Sequence, residues 1–241
     1  MIVKIRYFVL RSALAFATLR KRVWVSRRRA DGTGLSPIDH PSPDILARYT
    51  LVRYLNAIHL DEEGSEYKKS IPSLESFALR FFRRGETTFV CLLEPPRGGR
   101  IVTEALNLIF DSEPFSFESI DITHELAKRH STKFDIAKLV SAKVKDFKVA
   151  KGAVGRLEVS SKGGLSEEIA PFLAGAEFQV DSLTYEVTHD FNRGLICYTR
   201  NGTVRVTGAL AEHAFSQFEA CLAEVSLPPA RQIQSMQADQ R

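Results

Sequence analysis

Apolar and polar positions alternate from the start of the chain. Ile2, Ile5, Tyr7 and Val9 are interleaved with Lys4 and Arg6, which predicts a strand over 2–9. Val23–Ser26 has the same β-branched and aromatic character and predicts a second strand, with the helix-permissive stretch Ser12–Leu19 between them. Asp31–Pro43 holds two glycines and three prolines and predicts a loop. A helix start follows, with Ser42 as N-cap, Pro43 as first helical residue and Asp44 on the positive dipole end. Ile45, Tyr49, Val52, Leu55 and Ile58 give that helix an apolar face, and Asp61–Lys69 is a polar connection.

Phe77–Phe82 and Thr87–Leu93 flank Arg83-Arg84-Gly85-Glu86 and predict a hairpin. Ile101–Phe110 is a helix, Phe115–Ile122 a strand and Thr123–His130 a short helix, while 131–143 has no clear period. Val144–Ala150 and Arg156–Ser161 predict a hairpin, Ser166 to about Ala174 a helix, and Phe178–Thr188 a long strand with a bulge. Asn201-Gly202 joins Leu195–Arg200 to Thr203–Thr207 by the strongest short hairpin signal. Ala211, Ala214, Phe215, Phe218, Cys221, Leu222 and Val225 then form a helical stripe.

Hairpins dominate and strands do not alternate regularly with helices. The expected fold is α+β, an antiparallel or mixed sheet built from hairpins with helices packed on one side. The expected organisation is an N-terminal α+β region over 1–130, a hairpin-rich α+β region over 131–225 and a tail over 226–241.

With 241 residues, 44% of them hydrophobic, the chain can bury a core without disulfides or metal. Its three cysteines, Cys91, Cys197 and Cys221, form no CxxC pair and read as reduced thiols of a cytoplasmic protein. Charge changes the picture more. Residues 1–30 hold nine of the 33 Lys and Arg and none of the 29 acids, so the remaining chain is net acidic. Tyr7–Leu19 is too short for a membrane span and is interrupted by Arg11. Arg20-Lys21-Arg22 stands where a signal peptide would be cleaved, whereas an organelle transit peptide fits the composition.

The candidate nucleic-acid surface is therefore Arg20, Lys21, Arg22, Trp24, Arg27, Arg28 and Arg29, with Tyr7 and Phe8 as further rings on which bases could stack. A second candidate is the anion cradle Arg97-Gly98-Gly99-Arg100, where glycines at a helix start expose N–H groups beside two guanidinium groups. It matches neither a Walker A loop nor GxGxxG.

Catalytic constellations are weaker. Asp44 with Glu66-Tyr67-Lys68 matches the bare spacing of the PD-(D/E)xK nucleases, but on a helix and a loop. Asp121, Asp146 and Lys148 are better placed, with Asp135 a further upstream acid. His124-Glu125 begins like a zincin helix, but Lys128 stands where the second histidine belongs. His189-Asp190 matches the pair of the HD phosphohydrolases but ends a strand, and His59 and His213 read as solvated. No metal or cofactor is expected. The expected function is a non-catalytic binding or regulatory protein that engages nucleic acid or an acidic protein partner through the basic N-terminal surface. The alternatives are a metal-dependent, nuclease-like enzyme and a protein–protein interaction scaffold.

Overall fold

The computed structural model of the chain describes residues 2–25, 27–60, 66–96, 99–150, 153–165 and 179–223. Strand β1 (Ile2–Ser12) organises it, because its alternate residues enter two different cores. Ile5, Tyr7 and Val9 face one cluster, while Phe8 and Leu10 face the other. On one edge β1 pairs antiparallel with β6 (Thr87–Leu93). On the other it pairs first with β12 (Thr203–Thr207) and then with β7 (Phe115–Ser119).

From β6 the sheet continues through β5 (Glu66–Arg84), β4 (Ile45–Leu60) and β3 (Gly34–Ile38) to the two-residue β2 (Arg27–Arg28). From β12 it continues through β11 (Asn192–Thr199), β10 (Gln179–His189) and β8 (Ile136–Ala150) to β9 (Ala153–Ser160). All described pairings are antiparallel, so the fold is sheet-dominated α+β.

Helices α1 (Phe16–Trp24) and α2 (Gly99–Phe110) pack on the Phe8/Leu10 side through Leu19, Val23, Ile101, Val102 and Leu106. Helices α3 (His124–Ser131) and α4 (Ala211–Leu222) pack on the Tyr7 side through Leu126, Ala127, Phe215 and Phe218. The helices thus flank the central strand on both faces, and the expectation of a single helical side is corrected accordingly. None of the described helices is long and apolar enough to cross a membrane.

Four local expectations are overturned, the first being the polar connection over 61–69, whose residues 66–69 open β5 and pair with β4. Within the expected strand Val23–Ser26, Val23 and Trp24 are instead the end of α1, because Leu19 and Val23 stand four apart and share a buried stripe, while Ser26 lies outside the described residues. The expected loop over 31–43 contains β3, which pairs with β4. The expected helix after Pro43 is β4, in which Ile45, Ala47 and Tyr49 are buried in alternation and β5 pairs along its whole length. Ser42 does act on the backbone, accepting the Asp44 N–H at 3.2 Å, but it stabilises a turn and not a helix.

Other expectations hold. The β5–β6 and β11–β12 hairpins, α2, α4 and the bulged β10 fall where the pattern put them. Thr123 caps α3, its Oγ1 accepting the Leu126 N–H. The expected helix at 166–174 and the tail lie outside the described residues.

Candidate polyanion-binding face

Beyond α2, the even-numbered side of β1 continues, among the described residues, as the open face of the sheet formed by β12, β11, β10, β8 and β9. Buried Val204, Val206, Ile196, Tyr198, Leu183 and Tyr185 turn inward on these strands, so their neighbours turn outward. Register fixes two rows across this face. One runs Lys4, Arg205, Cys197, Thr184, Ser141, Ser160. The other runs Arg6, Thr203, Thr199, Ser182, Lys143, Glu158.

Cations and hydroxyls therefore dominate the face. Lys4 stands directly opposite Arg205. Arg6 donates from Nε to the Asn201 carbonyl at 3.1 Å and from Nη2 to Ser119 Oγ at 2.9 Å, with its guanidinium over the Phe8 ring. Partial burial lowers the Arg6 pKa, although a guanidinium stays cationic at neutral pH. Beside it lies a groove of about 650 Å³, lined by Asp121, Lys143, Lys145, Asp181 and Arg200 among others. Arg200 is bidentate to Asp121 at 3.1 and 3.3 Å, Lys143 meets Glu158 at 2.9 Å and Lys145 meets Asp181 at 3.7 Å. Exposed pairs of this kind contribute about 0–1 kcal/mol, so a phosphate can displace the carboxylates at little cost.

The residues singled out from sequence are distributed differently. Arg22 donates to the Phe110 carbonyl at 2.7 Å and pairs with Glu113, so it secures the end of α2. Arg20 hydrogen-bonds the Pro43 carbonyl, and Arg28 hydrogen-bonds Ser36 Oγ. Lys21, Trp24 and Arg29 are exposed, and Arg27 pairs in register with Leu35. Tyr7 and Phe8, expected as stacking platforms, are instead core residues at 0% and 5% exposure. Alternation on a strand covered on both sides buries both rings.

Arg97 and Gly98 of the anion cradle lie outside the described residues. Gly99 opens α2, and Arg100 pairs with Glu104 at 3.1 Å. The adjoining groove of about 890 Å³ also carries Glu75 and Glu94, and Arg53 there pairs with Glu75.

Asp121 is held by Arg200. Asp146 is exposed, with φ 57° at a register shift in β8, and Lys148 stands opposite Val154. A different set of acids converges. Asp135 accepts from the Asp190 N–H at 3.0 Å and approaches His189 Nδ1 at 3.3 Å, and His189 Nε2 lies 3.5 Å from Asp190. One donor atom from each of these three residues lies within 4.8 Å of the others. Asp135 thereby pins the β10–β11 turn, where Asp190 and Phe191 both have positive φ. His213, expected to be solvated, is half-buried and stacks on His189 with ring centroids 3.9 Å apart.

Of the cysteines, Cys91 and Cys221 are buried. Burial raises the Cys91 pKa against the pull of Arg80, which keeps the thiol protonated.

Lys143, Lys145 and Arg205 escaped the sequence reading. Their signal was period two: cations alternating with Ala142, Val144, Val204 and Val206 on strands whose other side is apolar. Comparison with protein-family models and with the curated proteins finds no match.

Proposed function

We propose that the chain is a non-catalytic binding protein that engages a polyanion, nucleic acid in the first instance, on the open face around Lys4, Arg6 and Arg205. The observation that carries this reading is the Lys4–Arg205 pair. Like charges directly opposite on a sheet are destabilising, and an anion between them turns that repulsion into binding. The surrounding serine and threonine hydroxyls suit phosphate and sugar contacts, which position a nucleic acid without reading its sequence. The basic N-terminal segment thus contributes Lys4 and Arg6 to these rows, whereas Lys21 and Arg29 are exposed on other elements.

Labelled single- and double-stranded RNA and DNA, titrated at several salt concentrations, test the proposal. Binding should weaken as salt rises, and Arg205→Ala should lower the log–log salt slope by about 0.7–0.9. Lys21→Ala with Arg29→Ala should leave that slope unchanged. Salt-independent binding, or dependence on Lys21 and Arg29 alone, contradicts it.

The convergence of Asp135, His189 and Asp190 favours one alternative, a metal-dependent phosphate-directed enzyme. That alternative requires strand cleavage in Mn²⁺ or Mg²⁺, lost in Asp135→Asn. Intact strands after incubation with either metal would sink it.

A further inference from the structure

Strands β4 and β5 pair over residues 45–60 and 66–81, but their described neighbours stop early. β3 accompanies β4 only over 46–50, and β6 accompanies β5 only over 78–84. The remainder is a two-stranded arm exposed on both faces. Tyr54, Ile58 and Leu74 are 59%, 65% and 70% exposed on one face, and Leu55 is 57% exposed on the other. Two strands alone are marginal in water, and apolar groups on both faces give neither side a reason to stay solvated.

The two edges of the arm differ. The Val52 N–H points outward to Thr33 Oγ1 at 3.0 Å, so by alternation the backbone groups of Tyr54, Asn56 and Ile58 also point to the free edge of β4. On β5, Pro72 stands opposite Tyr54 and removes a donor from the other free edge, beside Lys68 and Lys69. Edge strand β9 carries Arg156 and Glu158, and edge strand β2 is two residues long. The β4 edge has none of these protections over Tyr54–Ile58.

We propose that this edge pairs antiparallel with the same edge of a second copy of the chain, joining two arms into one four-stranded ribbon. The occupant is chosen by self-complementarity. With Asn56 on the two-fold axis, Tyr54 faces Ile58 and Leu55 faces Ala57. Three backbone-paired positions form (54 with 58, 56 with 56, 58 with 54), and no like charges are brought opposite one another. Aromatic–β-branched pairs are favourable cross-strand neighbours. A two-fold interface of this type closes without leaving a new edge of the same kind.

Sedimentation or light scattering on the full chain over a dilution series should show the mass doubling with concentration. Asn56→Pro removes the N–H on the axis and should stay monomeric, with an unchanged near-UV spectrum because the arm lies outside both cores. Asn56→Cys should form a covalent dimer under mild oxidation, since directly opposed strand residues lie within disulfide reach. Ser70→Cys, at the same level on β5, should not. A full chain that remains monomeric throughout, an Asn56→Pro variant that dimerises like the parent, or crosslinking through Ser70→Cys in preference to Asn56→Cys would each overturn the proposal.

Discussion

Half-buried Lys4 and exposed Arg205 face each other across β1 and β12, and at strand spacing two such cations repel by about 1 kcal/mol. Two other residues carry larger local costs. His130 is fully buried, with Nδ1 2.5 Å from the Tyr198 hydroxyl, and burial lowers its pKa to about 4. The unfolded imidazole gains its proton near pH 6.5, so between pH 6.5 and 4 the unfolded chain holds the extra proton. Stability should therefore fall by about 3 kcal/mol as pH drops through that window. Urea denaturation at several pH values should show this slope, and His130→Phe should flatten it.

Glu219, 2% exposed, accepts from the Tyr7 hydroxyl at 3.2 Å and pairs with Arg80 and with Arg84. Glu219→Gln removes the buried charge shared by Arg80 and Arg84, leaving Arg80 only Asp44 at 3.4 Å among the described acids, and should cost about 3 kcal/mol in the same measurement. The signal for Glu219 was present in the sequence. It is an acid between Phe218 and Cys221 on an apolar stripe, where an acid needs a buried partner. The identity of that partner was not legible, because Arg80 is distant in sequence and meets Glu219 only through the β5–β6–β1 pairing.

Among the elements, the β10–β11 hairpin, turned by Asp190 and Phe191, was not legible, whereas hairpins were legible where a glycine marked the short turn. Asn201-Gly202 is one such turn, and Gly202 has φ +80° with its carbonyl accepting the Tyr7 N–H at 2.9 Å. A Cβ there would lie 2.6 Å from the Tyr7 carbonyl oxygen, so Gly202→Ala should cost about 2 kcal/mol or more in thermal unfolding. Strand β4 was not legible as a strand. Ile45, Tyr49, Val52, Leu55 and Ile58 satisfy the helical period, while Ile45, Ala47, Tyr49 and Leu51 satisfy period two. Pairing with β5 decides between them, and no property of residues 45–60 taken alone contains that partner. The arm adds to the ambiguity, because a ribbon exposed on both faces has no single polar side to betray its period.

At the scale of the whole molecule, the sequence-based α+β reading survives, while the two-sided placement of the helices depends on β1. A strand covered on both faces and paired on both edges cannot be a detachable basic extension. A chain beginning at Asp31 should therefore show no cooperative thermal transition, which circular dichroism would establish. The charge asymmetry of the first thirty residues was plain in the sequence. Its division was not, because Arg22 completes the end of α2 while Arg6 reaches the open face.

The most direct test of that face is Arg205→Glu, followed at once by thermal melting and by nucleic-acid titration at low salt. Replacing a repulsive pair with an attractive one should raise stability by up to about 1 kcal/mol, a shift of about 2–4 °C in Tm, while binding is lost. Unchanged binding by this variant, or a fall in stability together with binding, would contradict a face kept cationic for a polyanion.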